Sequence, residues 1–151
     1  MINSGVYVLW LYLPQEERLR VGKLGVFSFP PGVYAYAGSA QRNLRQRLDR
    51  HRRLEKRLHW HIDFFRARAQ FLGAAVFPGQ PKEGECRCAR QLSRFTGAYI
   101  PAPGLGASDC SCAGHLVYLP GLEPNSIALG HAVHDIELGT AEALTFFDAG
   151  D

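Results

Sequence analysis

No apolar run in this 151-residue chain approaches the ~20 residues that a bilayer-spanning helix needs. The run Val6 to Leu13 carries Tyr7 and Tyr12 and stops at Pro14, so it suits a buried strand and no membrane partner is expected. The opening MINSG has no basic n-region, which argues against a secretory leader and for a cytoplasmic address. No internal repeat and no low-complexity tract occur. Cysteine is scarce: the four thiols fall as Cys86-x-Cys88 and Cys110-x-Cys112, which in a cytosolic chain points to free thiols or metal ligands rather than to a disulfide framework. From Gly121 onward Lys and Arg are absent, against six acidic residues.

The basic residues are concentrated elsewhere. Arg42 to Arg68 holds ten Arg/Lys against Asp49, Glu55 and Asp63, within a chain of formal charge only +3. A local cluster of guanidinium groups gains affinity for a polyanion by displacing condensed counterions, so nucleic acid is the expected partner, beside the plainer reading of a solvated helix face. Apolar residues at 46% and charged residues at 21% exclude disorder and a coiled coil. The length fits one domain.

Gly5 to Leu13 (GVYVLWLYL) reads as a strand buried on both faces and central in its sheet. Arg18 to Phe29 reads as a second strand ending at Pro30-Pro31-Gly32. Gly32 to Gly38 reads as a third, with Val33, Ala35 and Ala37 on one face and Tyr34 and Tyr36 on the other. The period then lengthens to four at Leu44, Leu48, Leu54 and Leu58, which predicts a helix over Gln41 to Leu54. His59 to Ala69 is a second helix candidate, Phe71 to Phe77 a fourth strand and Glu83 to Phe95 a third helix. Gly97 to Gly106 forms a loop and His115 to Leu119 a short last strand. The acidic remainder reads equally as a terminal hairpin or a loosely held tail.

One constellation runs through these elements: Gly5-Val6-Tyr7, then Tyr36-Ala37-Gly38, then Asn43-Leu44-Arg45-Gln46-Arg47-Leu48 with His51 a helical turn beyond Arg47. In these residues the sequence resembles the GIY-YIG nuclease superfamily. It is similar above all to a branch whose members sometimes appear fused to, or beside, endonuclease III-like repair proteins. The shared pieces are Gly32 to Ala40, Arg50-His51, His59 to Asp63, Glu85-Cys86 and Gly104 to Leu116. Two departures are present: Ser39 follows Tyr-x-Gly where lysine is frequent, and about 28 residues separate the signatures instead of ten or so, which inserts the strand Arg18 to Phe29.

The resemblance implies a single α/β domain over 1–120, a small antiparallel or mixed sheet flanked by helices, with 121–151 as an acidic extension packed on it. It also implies a metal-dependent DNA endonuclease of repair or recombination, with a DNA-repair protein as a candidate partner. Tyr7 and Tyr36 would be the catalytic phenols and Arg47 the ligand of a nonbridging phosphate oxygen. His51 would position water or phosphate, and Glu85 would carry Mg²⁺ or Mn²⁺. A phenol is a poor base at neutral pH unless a cation lowers its pKa, so Arg47 or the metal must be near. Ser39, Arg42, Arg45, Arg50, Arg53, His59 and His61 are the candidate nucleic-acid contacts, with Asp63, Asp109 and His115 second to them. The alternative is a DNA-binding module that keeps the basic helix, lacks catalysis and recruits another repair enzyme.

His59-Trp60-His61-Ile62-Asp63 also suggests metallo-β-lactamase-type or rolling-circle chemistry. The first wants a histidine where Phe64 stands, and the second wants its histidines on a strand. A structural reading, with Trp60 packed and the histidines bonding near a helix start, competes with substrate contact. Cys86, Cys88, Cys110 and Cys112, with His115, form a candidate zinc set. On a helix, however, residues two apart point to different sides, which favours free thiols.

Overall fold

The computed structural model describes residues 2–107, 110, 112–125 and the backbone of 143–146. Five strands form an antiparallel sheet in the order β6-β4-β1-β5-β7. They are β1 (Gly5–Leu13), β4 (Gly32–Ala40), β5 (Gln70–Pro78), β6 (Leu116–Leu119) and β7 (Ala143–Phe146). The helices are α1 (Leu44–Arg52), α2 (His61–Arg66) and α3 (Gly84–Leu92). The architecture is the expected α/β one, and the sheet is antiparallel throughout.

β1 lies at the centre and is buried on both faces, which is why its sequence is apolar without alternation. Tyr7, Leu9, Leu11 and Leu13 face one core with Tyr34, Tyr36, Leu44, Ile62 and Phe65. Val6, Val8 and Trp10 face a second with Val33, Ala35, Ala37, Cys88, Ala89 and Leu92. Helices α1 and α2 thus cover one side of the sheet and α3 the other.

The segment Arg18 to Phe29 is not one strand. It is a separate two-stranded hairpin, β2 (Glu17–Val21) and β3 (Gly25–Phe29), turning at Gly22 (φ 52°) with Leu24 N donating to Val21 O. The two glycines are the turn signal. Leu19, Val21 and Phe29 add to the first core.

Helix α1 is shorter than the four-residue period suggests. Asn43 adopts a left-handed conformation just before it, and Asn3 supplies the cap by accepting from Leu44 N and, through its side chain, from Arg45 N. At the other end the buried guanidinium of Arg66 donates to the carbonyls of His51 and Arg52, and Lys56 Nζ donates to those of Arg50 and His51. Two residues of the basic segment are therefore helix caps.

The register of β1 on β4 gives the paired glycine and tyrosine signatures a physical reason. Tyr7 sits opposite Gly38, and a Cβ at Gly38 would come within 2.5 Å of Tyr7 Cζ and Oη. Gly38→Ala should therefore displace the Tyr7 ring and cost about 1–3 kcal/mol, as overpacking does. Urea denaturation with an unchanged midpoint would refute this.

Candidate active site

Four elements converge at one end of the sheet. Tyr7 comes from β1, Tyr36 and Ser39 from β4, and Arg47 and His51 from α1. Glu85 arrives from the first turn of α3, and residues 59–61 and Gly106 close the rim. Together they line a cleft of about 670 Å³. The helical pair Arg47 and His51 points inward because four residues separate them.

Tyr7 Oη and His51 Nε2 lie 2.8 Å apart in buried surroundings. Burial, reinforced by the Lys56 charge, lowers the His51 pKa to about 3, so the imidazole is neutral at pH 7. In its Nδ1–H tautomer it accepts a hydrogen bond from the Tyr7 phenol. Burial also pushes Tyr7 well above the ordinary phenol value, and the neighbouring Arg47 offsets this only in part. Tyr36 is raised for the same reason, with Tyr7 and Glu85 adding to the effect. Both phenols hold their protons at rest.

Arg47 Nη1 donates to Ser39 O at 2.9 Å, and its guanidinium stacks on Trp60, 4.7 Å from the ring centroid. Arg50 stacks on the same ring at 4.3 Å. Trp60 therefore sets the two arginines while also lining the cleft. Ser39 Oγ donates to Glu85 Oε2, so Ser39 holds the carboxylate instead of standing free for a ligand. Gly106 N donates to His61 Nδ1, and a Cβ at Gly106 would meet the Tyr36 ring. Gly38 and Gly106 are thus needed because the two tyrosines pass across them, which residue types alone do not reveal.

Not every candidate reaches the cleft. Arg42, His59 and His61 line it, whereas Arg45 lies by Leu48 and Phe71, and Arg53 lies in a basic hollow with Lys56 and Arg57. Arg50 is committed to Asp63 through two bonds of 2.9 and 2.8 Å. Asp63 is fully buried, and its Oδ2 also accepts from the amides of His59 and Trp60 at the start of α2. It is absent from the cleft lining; its work is to cap α2 and hold Arg50. Asp109 lies outside the described residues.

His115 is buried behind Glu85. Its Nδ1 is 3.2 Å from Glu85 Oε1 without the alignment of a hydrogen bond, while Nε2 faces Cys110 Sγ at 3.5 Å and Cys86 Sγ at 3.7 Å. The ligand atoms of Cys86, Cys110, Cys112 and His115 all lie within 4.8 Å of one another, a grouping that can hold a metal ion. Cys88 is not in it. That thiol points from the opposite side of α3 into the second core, as the helical period requires, so the grouping keeps three of the four cysteines together with His115.

Among the described residues no helix is long and apolar enough to cross a membrane. A family model described as "Domain of unknown function DUF123" matches residues 6–138. Neither curated proteins nor solved structures give a match.

Proposed function

We propose that this chain, which belongs to the DUF123 family, is a metal-dependent endonuclease that hydrolyses phosphodiester bonds in DNA, in repair or recombination. The observation that carries this reading is the meeting of Tyr7, Tyr36, Arg47, His51 and Glu85 in one cleft, from elements far apart in sequence. A module that only bound DNA would need the charge but not this set. The likeness of the same residues to the GIY-YIG signatures supports it, and the domain would be of that type.

Phosphodiester hydrolysis needs a base for water, a cation on the developing equatorial charge and help for the leaving oxygen. Neutral His51 accepts the Tyr7 hydrogen bond and orients the phenol oxygen in the cleft, and Tyr7 would serve as the base for the attacking water with a cation beside it, Arg47 or a bound metal, offsetting the burial that raises its pKa. Arg47, fixed by Ser39 O and Trp60, offers its remaining N–H donors to a nonbridging phosphate oxygen. Tyr36 stands beside this pair as a second phenol. Arg42 and Lys82 at the cleft wall would meet flanking phosphates.

The donor set at Glu85 fits a hard divalent ion. One carboxylate at the cleft wall, with an oxygen already fixed by Ser39, would hold Mg²⁺ or Mn²⁺ together with water. Such an ion supplies Lewis-acid stabilisation of the phosphate charge when bound.

The test is cleavage of labelled single-stranded, duplex and branched DNA with Mg²⁺ or Mn²⁺, comparing wild type with Glu85→Gln. We expect cutting by wild type and a drop of about 10²–10³-fold in the variant, as for removal of other transition-state stabilisers, with DNA binding retained. Wild type that binds with a steep salt dependence and cuts nothing would make the chain the recruiting module instead.

A further inference from the structure

The thiol–imidazole cluster has no part in the steps proposed above, yet it borders the cleft at Glu85. Glu85 and Cys86 are neighbours at the start of α3, and Glu85 borders both the cleft and the hollow that holds Cys86, Cys110 and Cys112. His115 stands between the two with one ring nitrogen toward each side: Nε2 to the sulfurs, Nδ1 to Glu85 Oε1.

The dimensions suit one tetrahedral ion. With Zn–N near ~2.05 Å and Zn–S near ~2.3 Å, a tetrahedral N···S edge is about 3.6 Å. The observed edges from His115 Nε2 are 3.5 and 3.7 Å. All four cysteines are free, and a spread within 4.8 Å leaves space for one ion. Three sulfurs and an imidazole select a soft or borderline cation over the hard ion suited to Glu85. Three thiolates around a dication would leave one negative charge, which Arg87 and Arg90 on the rim of the same hollow offset. His115 is 1% exposed, and its Nδ1 has no aligned partner. Binding through Nε2 fixes the proton on Nδ1, and a small ring rotation would then turn the 3.2 Å approach to Glu85 into a hydrogen bond.

We propose that Cys86, Cys110, Cys112 and His115 hold a resident Zn²⁺, and that its histidine ligand positions Glu85 at the cleft wall. The ion ties the loop before β6 to the first turn of α3, and Glu85 acts as the acceptor of its imidazole ligand whatever reaction the cleft performs. Glu85 is thereby held from two sides, by Ser39 Oγ on Oε2 and by His115 on Oε1.

The experiment uses the full chain, purified under reducing conditions without added metal, with zinc measured by elemental analysis. We expect about one equivalent per chain, as in a closed structural site. Cys88→Ala should keep it, whereas Cys112→Ser and His115→Ala should fall to traces. Because losing a ligand side chain can itself impair folding, the metal-free wild type is also titrated with Co²⁺. A thiolate-to-cobalt charge-transfer band with tetrahedral d–d bands is expected. Zinc-free wild type with no such band would overturn the site, as would full occupancy in Cys112→Ser and His115→Ala. Competition against a chelator tests the link to Glu85: Glu85→Gln should bind zinc about 10–100-fold more weakly. Equal affinity would overturn the positioning role while leaving the site. None of these readings depends on DNA cleavage.

Discussion

Alanine at Arg47 should lower DNA cleavage by about 10²–10³-fold, the usual effect of removing one well-placed donor from a developing anion. The argument rests on how the side chain is held. One Nη1 bond to Ser39 O and the face of Trp60 fix the guanidinium plane before any phosphate arrives, so little ordering remains for the transition state. The loss should therefore appear in kcat more than in KM. Arg47→Lys should not restore activity, because an ammonium cannot hold the carbonyl, stack on the indole and reach the phosphate together. Arg53→Ala is the control. Arg53 is exposed and outside the cleft lining, so its loss should weaken binding only through the salt-dependent component. Arg47→Ala with unchanged single-turnover cleavage and an unchanged melting temperature would sink the assignment.

The sheet was legible because burial on both faces leaves a plain mark. Continuous apolar β1 reads as a central strand and is one, and the alternation of β4 puts Val33, Ala35 and Ala37 in one core and Tyr34 and Tyr36 in the other, as expected. Local signals misled where a distant residue decides the outcome. The four-residue period predicts a helix over Gln41 to Leu54, but Asn3 fixes the start of α1 and Arg66 its end, from 41 and 14 residues away in sequence. The hairpin was hidden because alternation continues through β2 and β3 once Gly22 and Gly25 are overlooked as turn residues.

In the candidate site, residue types were easier to identify than partners. Tyr7, Tyr36, Arg47, His51 and Glu85 can be picked out along the sequence, and they do line one cleft. That Ser39 serves Glu85, that Arg50 serves Asp63 and that His115 joins Cys86 while Cys88 stands apart depend on contacts across 46, 13 and 29 residues. Charge density gave no means of separating these jobs. Of the ten cations between Arg42 and Arg68, Arg66 and Lys56 cap a helix and Arg50 pairs with a buried carboxylate, so the surface offered to a polyanion is smaller than the count suggests.

Asp63→Ala should cost about 3–5 kcal/mol, the range for breaking a buried ion pair by removing one partner. The carboxylate takes a bidentate grip from Arg50, lies 3.7 Å from Lys56 Nζ and accepts two backbone amides. Its removal would leave Lys56, only 6% exposed in its side chain, without its anion and the amides of His59 and Trp60 without an acceptor. Burial alone would raise the Asp63 pKa; the Arg50 bonds, the two amides and Lys56 outweigh it, so the folded value is lowered. The sign follows. Asp63 contributes stability above its unfolded pKa of about 3.9 and loses it as pH falls further, through the lower folded value. His51 acts in an earlier window. Its folded pKa of about 3 lies below the unfolded ~6.5, so the unfolded chain takes up a proton first and stability declines as pH falls from ~6.5 toward 3. Chemical denaturation of wild type across pH 3–7 should show both declines. His51→Gln should flatten the first, and Asp63→Ala, already destabilised at pH 7, should lack the second. A wild-type stability that stayed level down to pH 4 would contradict the burial of a neutral His51 against Tyr7.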